Sequence, residues 1–389
     1  MNRIYLDNAA TTACDPRVLE VMLPYFTQVY GNASSIHSYG REAKRALEAA
    51  RRRVMKALNA AAPQEIVFTA GGSESDNWAI KGAAFAAVDK GRHIITTAVE
   101  HHAVLHTCDW LEKQGFRVTR LPVDGCGRVS AEAVAQAIRP DTILVSVMMA
   151  NNEVGTLQPI AQIGEICRAQ GVLFHTDAVQ AVGAVPVDVQ ALNVDLLSLS
   201  GHKLHGPKGV GALYVRRGVR LDSLVHGGAQ ERGLRAGTEN LPAIIGLGKA
   251  MELAAEHLEE NAVHVARLRD RLIAGVMERI PDVRLNGCEP GPGRLPGNCS
   301  FSFRDVEGEA LLLRLDLAGV AGSSGSACTS GALDPSHVLM AMGLTEAEAH
   351  GSLRLTLSTD STDADVDAVL ERLPPIVQDL RAMRSGRWG

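Results

Sequence analysis

Short apolar runs that alternate with longer Ala- and Leu-rich segments are the feature that most constrains the fold of this chain. Seven such runs lie in the first two thirds of its 389 residues, and the segments between them have helical spacing. Strands that alternate with helices predict an α/β domain with a mostly parallel seven-stranded sheet. The candidate strands are 65–69, 93–98, 117–121, 142–148, 173–176, 196–200 and 211–215.

A different pattern follows a helical stretch that starts near residue 241. Apolar and polar residues alternate around 301–303 and again over 353–357, which is typical of half-buried strands, whereas 308–317 has helical spacing. The Gly- and Pro-rich segment 286–298 predicts a loop. These elements predict a smaller α+β unit at the C-terminal end.

The two patterns predict two domains, within the number expected for a chain of this length. Residues 13–258 are expected to form the large domain, which carries the main sheet. Residues 1–12 and 259–389 are expected to form the small domain, including a loop at 321–335 that consists mainly of small residues.

Charge and cysteine content exclude several classes of function. The 39 Lys and Arg residues against 44 Asp and Glu give a net charge of −5, so nothing favours nucleic acid as a partner. The 7 cysteines include no Cys-x-x-Cys pair, which fits a reducing compartment and predicts no intrinsic metal site. Because no apolar run reaches about 18 residues, we expect a cytoplasmic protein that does not bind a membrane.

A candidate phosphate site follows the first strand of the sheet. Gly71 and Gly72 form a turn before a helix that begins near Ser73, and glycine amides at a helix start favour anions. The alternative is an ordinary strand-to-helix turn with Ser73 as N-cap. A nucleotide is disfavoured, because neither a Walker loop nor a Gly-x-Gly-x-x-Gly motif is present.

Two polar residues follow the apolar run 172–176. Asp177 would sit at the end of a buried strand, either as a helix cap or as the partner of a cationic ligand group such as a pyridinium nitrogen. Gln180 lies one turn further and could donate to a neighbouring phenolic oxygen.

Lys203 and His101 also follow apolar strands. A surface lysine is the ordinary interpretation of Lys203. The glycines after it predict a crowded backbone, however, which would lower the pKa of the amine and suit a Schiff base. His101 and His102 could be structural, or one imidazole could stack on a flat cofactor ring and move protons.

Cys328 has unusual surroundings for a cysteine, because its neighbours are Gly, Ser, Ala and Thr. We therefore expect an exposed, mobile thiol suited to nucleophilic attack and sulfur transport. The other six cysteines are interpreted as small core or surface residues. Arg354 alternates with leucines on a predicted strand and is either solvated or a bidentate partner for a carboxylate.

Together these residues resemble fold-type I pyridoxal-phosphate enzymes, and the Cys328 motif resembles that of the cysteine desulfurases. The loop length resembles group I, the NifS/IscS-like enzymes, and the CTSG and AHG motifs resemble the nitrogen-fixation NifS type most closely. The resemblance spans residues 5 to about 360. Its motifs are YLDNAATT (5–12), GNASS (31–35), NNEVG (151–155), HTDAVQ (175–180), HKLHGPKG (202–209), ERGLRAGT (231–238), EGE (307–309), SGSACTSG (324–331) and AHGSLR (349–354).

The resemblance implies a role for each matching position. Lys203 would bind pyridoxal 5′-phosphate covalently and shuttle the Cα proton, Asp177 would hold the ring nitrogen protonated, and His101 would stack on the ring and act as acid and base on the substrate thiol. Gln180 would contact the phenolic oxygen, and Asn152 would lie beside cofactor and substrate. The phosphate would be bound by Gly72, Ser73, Ser200 and His202, together with Thr238 of the partner subunit in a homodimer. The substrate carboxylate would be bound by Asn32 and Arg354.

The implied reaction removes sulfur from L-cysteine, leaving L-alanine and a persulfide on Cys328. The persulfide would pass to an iron–sulfur scaffold or another acceptor protein, where Cys328 could transiently ligate a cluster, with nitrogenase as one destination. A selenocysteine lyase or a related enzyme of this fold stays open as an alternative. An aminotransferase needs no mobile thiol, and a non-catalytic sulfur carrier needs neither Lys203 nor Asp177.

Overall fold

The computed structural model describes residues 3–324 and 335–384. Up to the last strand of the main sheet, the elements are β1 (Ile4–Tyr5), α1 (Pro16–Met22), α2 (Pro24–Thr27), α3 (Ser38–Ala57), β2 (Ile66–Thr69), α4 (Gly72–Ala86), β3 (His93–Thr97), α5 (His102–Lys113), β4 (Arg117–Leu121), α6 (Ala131–Ala137), β5 (Thr142–Ser146), α7 (Ile160–Gln170), β6 (Leu173–Asp177), β7 (Leu196–Ser200) and β8 (Gly211–Val215). The elements that follow are α8 (Leu241–Glu256), α9 (Leu258–Arg279), β9 (Val283–Leu285), β10 (Asn298–Phe303), α10 (Gly308–Leu317), β11 (Val320–Ala321), α11 (His337–Ala341), α12 (Glu346–His350), β12 (Ser352–Thr356) and α13 (Asp363–Arg384).

Within the described residues, the main sheet has seven strands in the order β2-β8-β7-β6-β5-β3-β4. Strand β8 runs antiparallel to both of its neighbours, and the other pairs are parallel. All seven candidate strands are confirmed, three with the predicted bounds and four with bounds that differ by one or two residues. The carboxyl ends of six strands therefore meet at one edge of the sheet, which is where ligands bind in open α/β sheets.

Helices cover both faces of this sheet. Successive residues of a strand project to opposite faces, so Ile94 packs in one apolar cluster with Trp78 of α4, whereas Ile95 packs in another with Leu47 of α3. Because both faces of the sheet are buried, the strand sequences are continuous apolar runs and do not alternate between apolar and polar residues. In the described part of the chain, no helix is both long and apolar enough to cross a membrane.

A second unit is built around an antiparallel sheet of order β12-β10-β9. Phe301 and Leu353 pair across β10 and β12 and lie in one apolar cluster with residues of α9, α10 and α13. Strand β1 pairs in parallel with β11, which brings Ile4 and Leu6 into the same cluster. The boundaries 13–258, 1–12 and 259–389 stay a prediction.

Candidate active site

The turn between β2 and α4 brings backbone amides close to the end of β7. Helix α4 starts at Gly72, so Ser73 is its second residue and the interpretation of Ser73 as N-cap is wrong. No side chain among the described residues caps this helix start. A Cβ on Gly72 would lie 2.6 Å from Cγ2 of Val179, and a Cβ on Gly211 would lie 2.8 Å from the Cα of Gly71. The glycines thus leave uncapped amides in a narrow cradle that suits an anion.

Asp177 is the last residue of β6, and its carboxylate is buried at the edge where the parallel strands end. Oδ1 accepts a hydrogen bond of 2.9 Å from the Val179 amide. Burial raises the pKa of Asp177 to about 6, although this hydrogen bond and the charge of Lys203 oppose the shift. The carboxylate is therefore largely ionised at neutral pH, and the Val179 amide and Lys203 compensate only part of the cost of burying its charge.

Lys203 ends the 3₁₀ turn Gly201–Lys203 that follows β7, the neighbour of β6. Its Nζ donates to the carbonyls of Ala9 and Ala10, the latter at 2.7 Å. Gln180 Nε2 donates to the same Ala9 carbonyl at 2.9 Å. The N-terminal segment therefore holds the side chains of Lys203 and Gln180 side by side.

His101 is the N-cap of α5, and its Nδ1 accepts a hydrogen bond of 3.1 Å from the Ala103 amide. Burial, followed by the charge of Lys203, lowers the pKa of His101 to about 4. The ring is therefore neutral at pH 7, and because Nδ1 is an acceptor, the proton is on Nε2. A neutral ring of this tautomer presents an N–H group to a ligand.

Two further buried carboxyl groups lie near Asp177 and were not predicted from the sequence. Burial and then the Asp177 charge raise the pKa of Asp76 well above its ordinary value, and burial raises the pKa of Glu100 to about 8. Oδ1 of Asp76 has no hydrogen-bond partner among the described residues and lies 3.7 Å from Nε2 of His175. Glu100 therefore holds its proton at pH 7, and burial likewise favours the neutral form of Asp76.

Arg354 lies on β12 and is 4% exposed, so the interpretation as a solvated arginine is wrong. Its Nη2 forms an ion pair of 3.0 Å with Asp7, and its Nη1 donates to the Asn152 carbonyl at 3.1 Å. Nε is buried and has no hydrogen-bond partner among the described residues. The guanidinium therefore keeps a donor available, and Asp7 is a site residue that the sequence reasoning missed.

The other candidate residues differ in how closely they approach this edge. Ser200 is buried at the end of β7, and His202 bonds through Nδ1 to Thr11 Oγ1 at 3.1 Å. Burial, followed by the charges of Lys203 and Lys208, lowers the pKa of His202 to about 4. The side chains of Ser73, Asn32 and Thr238 are exposed, and Cys328 lies outside the described residues.

Residues 4–369 match the family model described as Aminotransferase class-V. The chain belongs to this family. A protein named cysteine desulfurase IscS from Clostridium botulinum strain Hall is 57% identical over 384 residues, which are 98% of this chain and 96% of that protein. One of the same name from Methanosarcina thermophila is 57% identical over 98% of this chain and 93% of its own. A solved structure titled NifS-like protein superposes with a TM-score of 0.91 at 41% identity, covering 97% and 100% of the two chains.

The class-V family depends on pyridoxal 5′-phosphate, and the groups at the strand edge fit this cofactor. The cofactor carries a phosphate, a ring nitrogen and an aldehyde. The uncapped amides at Gly72 suit the phosphate, and the ionised Asp177 suits a protonated ring nitrogen. The amine of Lys203 acts electrostatically on both Asp177 and His101, so it lies near both.

The raised pKa of Asp177 predicts that this residue destabilises the cofactor-free protein at alkaline pH. Its pKa is about 6 in the folded chain and 3.8 as a free group, so the folded state retains a proton that the unfolded state loses. The stability linked to that proton is complete below the free-group pKa of 3.8 and is lost as the pH rises through the folded-state pKa of about 6. Asp177→Asn should therefore raise the free energy of unfolding by about 2 kcal/mol more at about pH 8 than at about pH 4.5.

Urea unfolding of the cofactor-free protein at the two pH values measures this difference. Asp188→Asn is the control, because hydrogen bonds outweigh the partial burial of Asp188 and lower its pKa. This control should gain no stability at the higher pH. An equal effect of Asp177→Asn at both pH values would contradict the assignment of a buried, ionised carboxylate.

Proposed function

We propose that the protein is a cysteine desulfurase that moves the sulfur of L-cysteine onto Cys328 and releases L-alanine. The observation that carries this proposal lies at the two ends of the segment that contains Cys328. Ser323 forms two backbone hydrogen bonds with Arg354, and Ser336 donates to Glu153, the neighbour of Asn152. Both ends of the segment are therefore attached next to the predicted substrate residues, which an aminotransferase would not require.

The cofactor would be held by residues from three strand ends, those of β2, β6 and β7. We assign its phosphate to Gly72, Ser73, Ser200 and His202, its ring nitrogen to Asp177, its phenolic oxygen to Gln180 and its aldehyde carbon to Lys203. When bound, pyridoxal 5′-phosphate supplies an electron-withdrawing ring that acidifies the substrate Cα proton and weakens the Cβ–S bond. We assign the base at Cα to Lys203, because its amine lies close enough to Asp177 and His101 to act on both electrostatically and is a base once it has lost its proton.

His101 would contact the substrate sulfur from the other side of the site. In the observed hydrogen-bonding state its Nε2–H can stabilise a substrate thiolate as a donor. A role as base would additionally require Nδ1 to release the Ala103 amide. The low pKa, about 4, keeps the ring neutral and prevents it from repelling the Lys203 ammonium.

Arg354 is assigned to the substrate carboxylate, together with Asn152 and Asn32. The ion pair with Asp7 fixes the guanidinium plane, and the unpartnered Nε supplies a donor that a carboxylate would satisfy. Asn32 is exposed and its Oδ1 accepts from the Ser34 amide at 2.8 Å, so its amide nitrogen is the group available to a ligand.

The sulfur transfer balances without an added oxidant. The thiolate of Cys328 attacks the substrate sulfur, the S–S bond forms as the Cβ–S bond breaks, and Cβ receives a proton. The products are L-alanine and a Cys328 persulfide. The persulfide sulfur would then pass to a thiol of an acceptor protein.

We place the acceptor among iron–sulfur assembly scaffolds, because the relatives at 57% identity carry the name IscS. Nitrogenase supply is the second candidate, favoured by the AHG motif that ends at Gly351. We also place the enzyme in the cytoplasm. The unpaired state of the described cysteines supports this, since thiols persist in reducing compartments.

We infer a homodimer in which Thr238 completes the phosphate site of the partner subunit. A row of large apolar side chains is exposed on the first helices and the turn after them, and Ile36 is 91% exposed. Exposed apolar patches of this kind mark protein contacts. The residues of this row are Leu19, Leu23, Phe26, Tyr30, Ile36 and Tyr39.

Turnover of L-cysteine tests the proposed activity. The protein with pyridoxal 5′-phosphate should form L-alanine and protein-bound sulfur in equal amounts, and dithiothreitol should release that sulfur as sulfide. Cys328→Ser and Lys203→Ala should each lower the rate at least ~100-fold. Cys14→Ser, which alters a half-buried thiol with no assigned role, should keep the wild-type rate. Undiminished sulfide release by Cys328→Ser would contradict the persulfide step, and a higher rate with selenocysteine would favour the alternative lyase.

A mixed dimer tests the shared site. Thr238→Ala should weaken cofactor binding at least ~10-fold, because a hydrogen bond to a charged group is worth roughly 1.5–3 kcal/mol. A heterodimer of Lys203→Ala and Thr238→Ala chains, purified by two tags, would retain one intact site if Thr238 acts across the interface. At limiting cofactor it should show about half the wild-type activity. Activity no higher than that of the Thr238→Ala dimer would place Thr238 in the site of its own chain.

A further inference from the structure

Two cysteines from distant parts of the sequence lie side by side away from the strand-end site. Cys126 lies in the tight turn after β4, and Cys288 lies in the loop after β9. Both are free thiols of intermediate exposure. Of the other described cysteines, Cys108, Cys167 and Cys299 are buried, so Cys126 and Cys288 are the adjacent pair that solvent reaches.

The hydroxyl of Thr156 joins the backbones of the two cysteines. Its Oγ1 donates to the Cys126 carbonyl at 2.6 Å and accepts from the Cys288 amide at 3.4 Å, so that oxygen and that nitrogen are at most about 6 Å apart. This spacing is compatible with the Cα separation that disulfides need. The thiols also interact, because after burial the charge of Cys288 and a thiol hydrogen bond to it are among the causes that raise the pKa of Cys126.

Both backbones are already fixed in this arrangement. Oδ1 of Asp124 accepts from the amides of Cys126 and Arg128, each at 2.9 Å. On the other side, Nε of Arg294 donates to the Cys288 carbonyl at 2.6 Å. Closing a bond between the two sulfurs would therefore require little reordering of the chain.

We propose that Cys126 and Cys288 are a peroxide-sensitive dithiol that closes to a reversible disulfide. The Cys288 thiolate attacks one oxygen of the peroxide, whose O–O bond breaks to release water and leave a sulfenic acid. The Cys126 thiol then displaces the hydroxyl group as a second water, and the S–S bond forms. The two thiols lose two electrons and two protons in total, and one hydrogen peroxide becomes two waters.

The disulfide would link the domain of the main sheet covalently to the second unit. The link would lie beside the loop between β5 and α7, which contains Asn152. Thr156 lies in that loop. Two backbone hydrogen bonds cross the same boundary: the Leu157 amide donates to the Gly293 carbonyl, and the Leu295 amide donates to the Gly155 carbonyl. The link would close a loop of more than a hundred residues, which restricts the unfolded chain. We therefore expect oxidation to raise Tm and dithiothreitol to reverse the rise.

Peptide mapping after peroxide treatment tests the proposal without reference to turnover. The full chain is treated with hydrogen peroxide, free thiols are alkylated, and the protein is digested without reductant. Cys126→Ser and Cys288→Ser each remove one thiol of the pair. Cys14→Ser is the matched control, because Cys14 is also of intermediate exposure and none of the other described cysteines is among the causes that shift its pKa. Tm is measured on the same samples.

We expect a Cys126–Cys288 peptide in the wild type and in Cys14→Ser, together with a rise in Tm of several degrees that dithiothreitol reverses. Neither the peptide nor the rise should be seen in Cys126→Ser or Cys288→Ser. Recovery of both cysteines as alkylated thiols after treatment would overturn the proposal, as would linkage of either one to a different cysteine. Because the readout is a covalent link, it stands or falls independently of the desulfurase activity.

Discussion

The burial of the Asp177 carboxylate beside the Lys203 ammonium is the interaction on which the rest of the site depends. A buried carboxylate is unfavourable without a cationic partner, and Lys203 supplies only part of the compensation, since the pKa of Asp177 still rises to about 6. The neutral Glu100 cannot compensate it either, and burial disfavours a charge on Asp76. The apo site is therefore electrostatically unsatisfied, and a ligand with a protonated ring nitrogen relieves it.

The parallel sheet makes this pair possible because β6 and β7 are neighbours that end at the same edge. The N-terminal segment then determines where the lysine amine lies. Ala9 and Ala10 accept from Nζ of Lys203, while Asp7 pairs with Arg354 on β12. The same few residues thus connect Lys203, the proposed cofactor lysine of one unit, with Arg354, the proposed substrate arginine of the other. A change in how the two units pack would alter both positions together.

Much of this arrangement could be predicted from strand ends. Strands β3, β6 and β7 are buried along nearly their whole length, so their apolar runs mark them clearly. Polar residues at or just after the ends of these runs are what predicted His101, Asp177 and Lys203 as candidates. Asp7 could not be predicted in this way, because its partner Arg354 is 347 residues away in sequence. Asp76 lies on α4, and nothing in its local sequence indicates that its carboxyl group is buried. The N-cap interpretation of Ser73 failed because Gly71 and Gly72 already begin the helix there.

Borohydride reduction of the protein loaded with pyridoxal 5′-phosphate, followed by peptide mapping, tests the central claim most directly. Reduction converts the bound cofactor into a stable pyridoxyl group on whichever amine holds it. We expect a pyridoxyl group on Lys203, and Asp177→Ala should lower its yield because the ring nitrogen loses its partner. Labelling of Lys208 or any other lysine, with Lys203 unmodified, would contradict this claim.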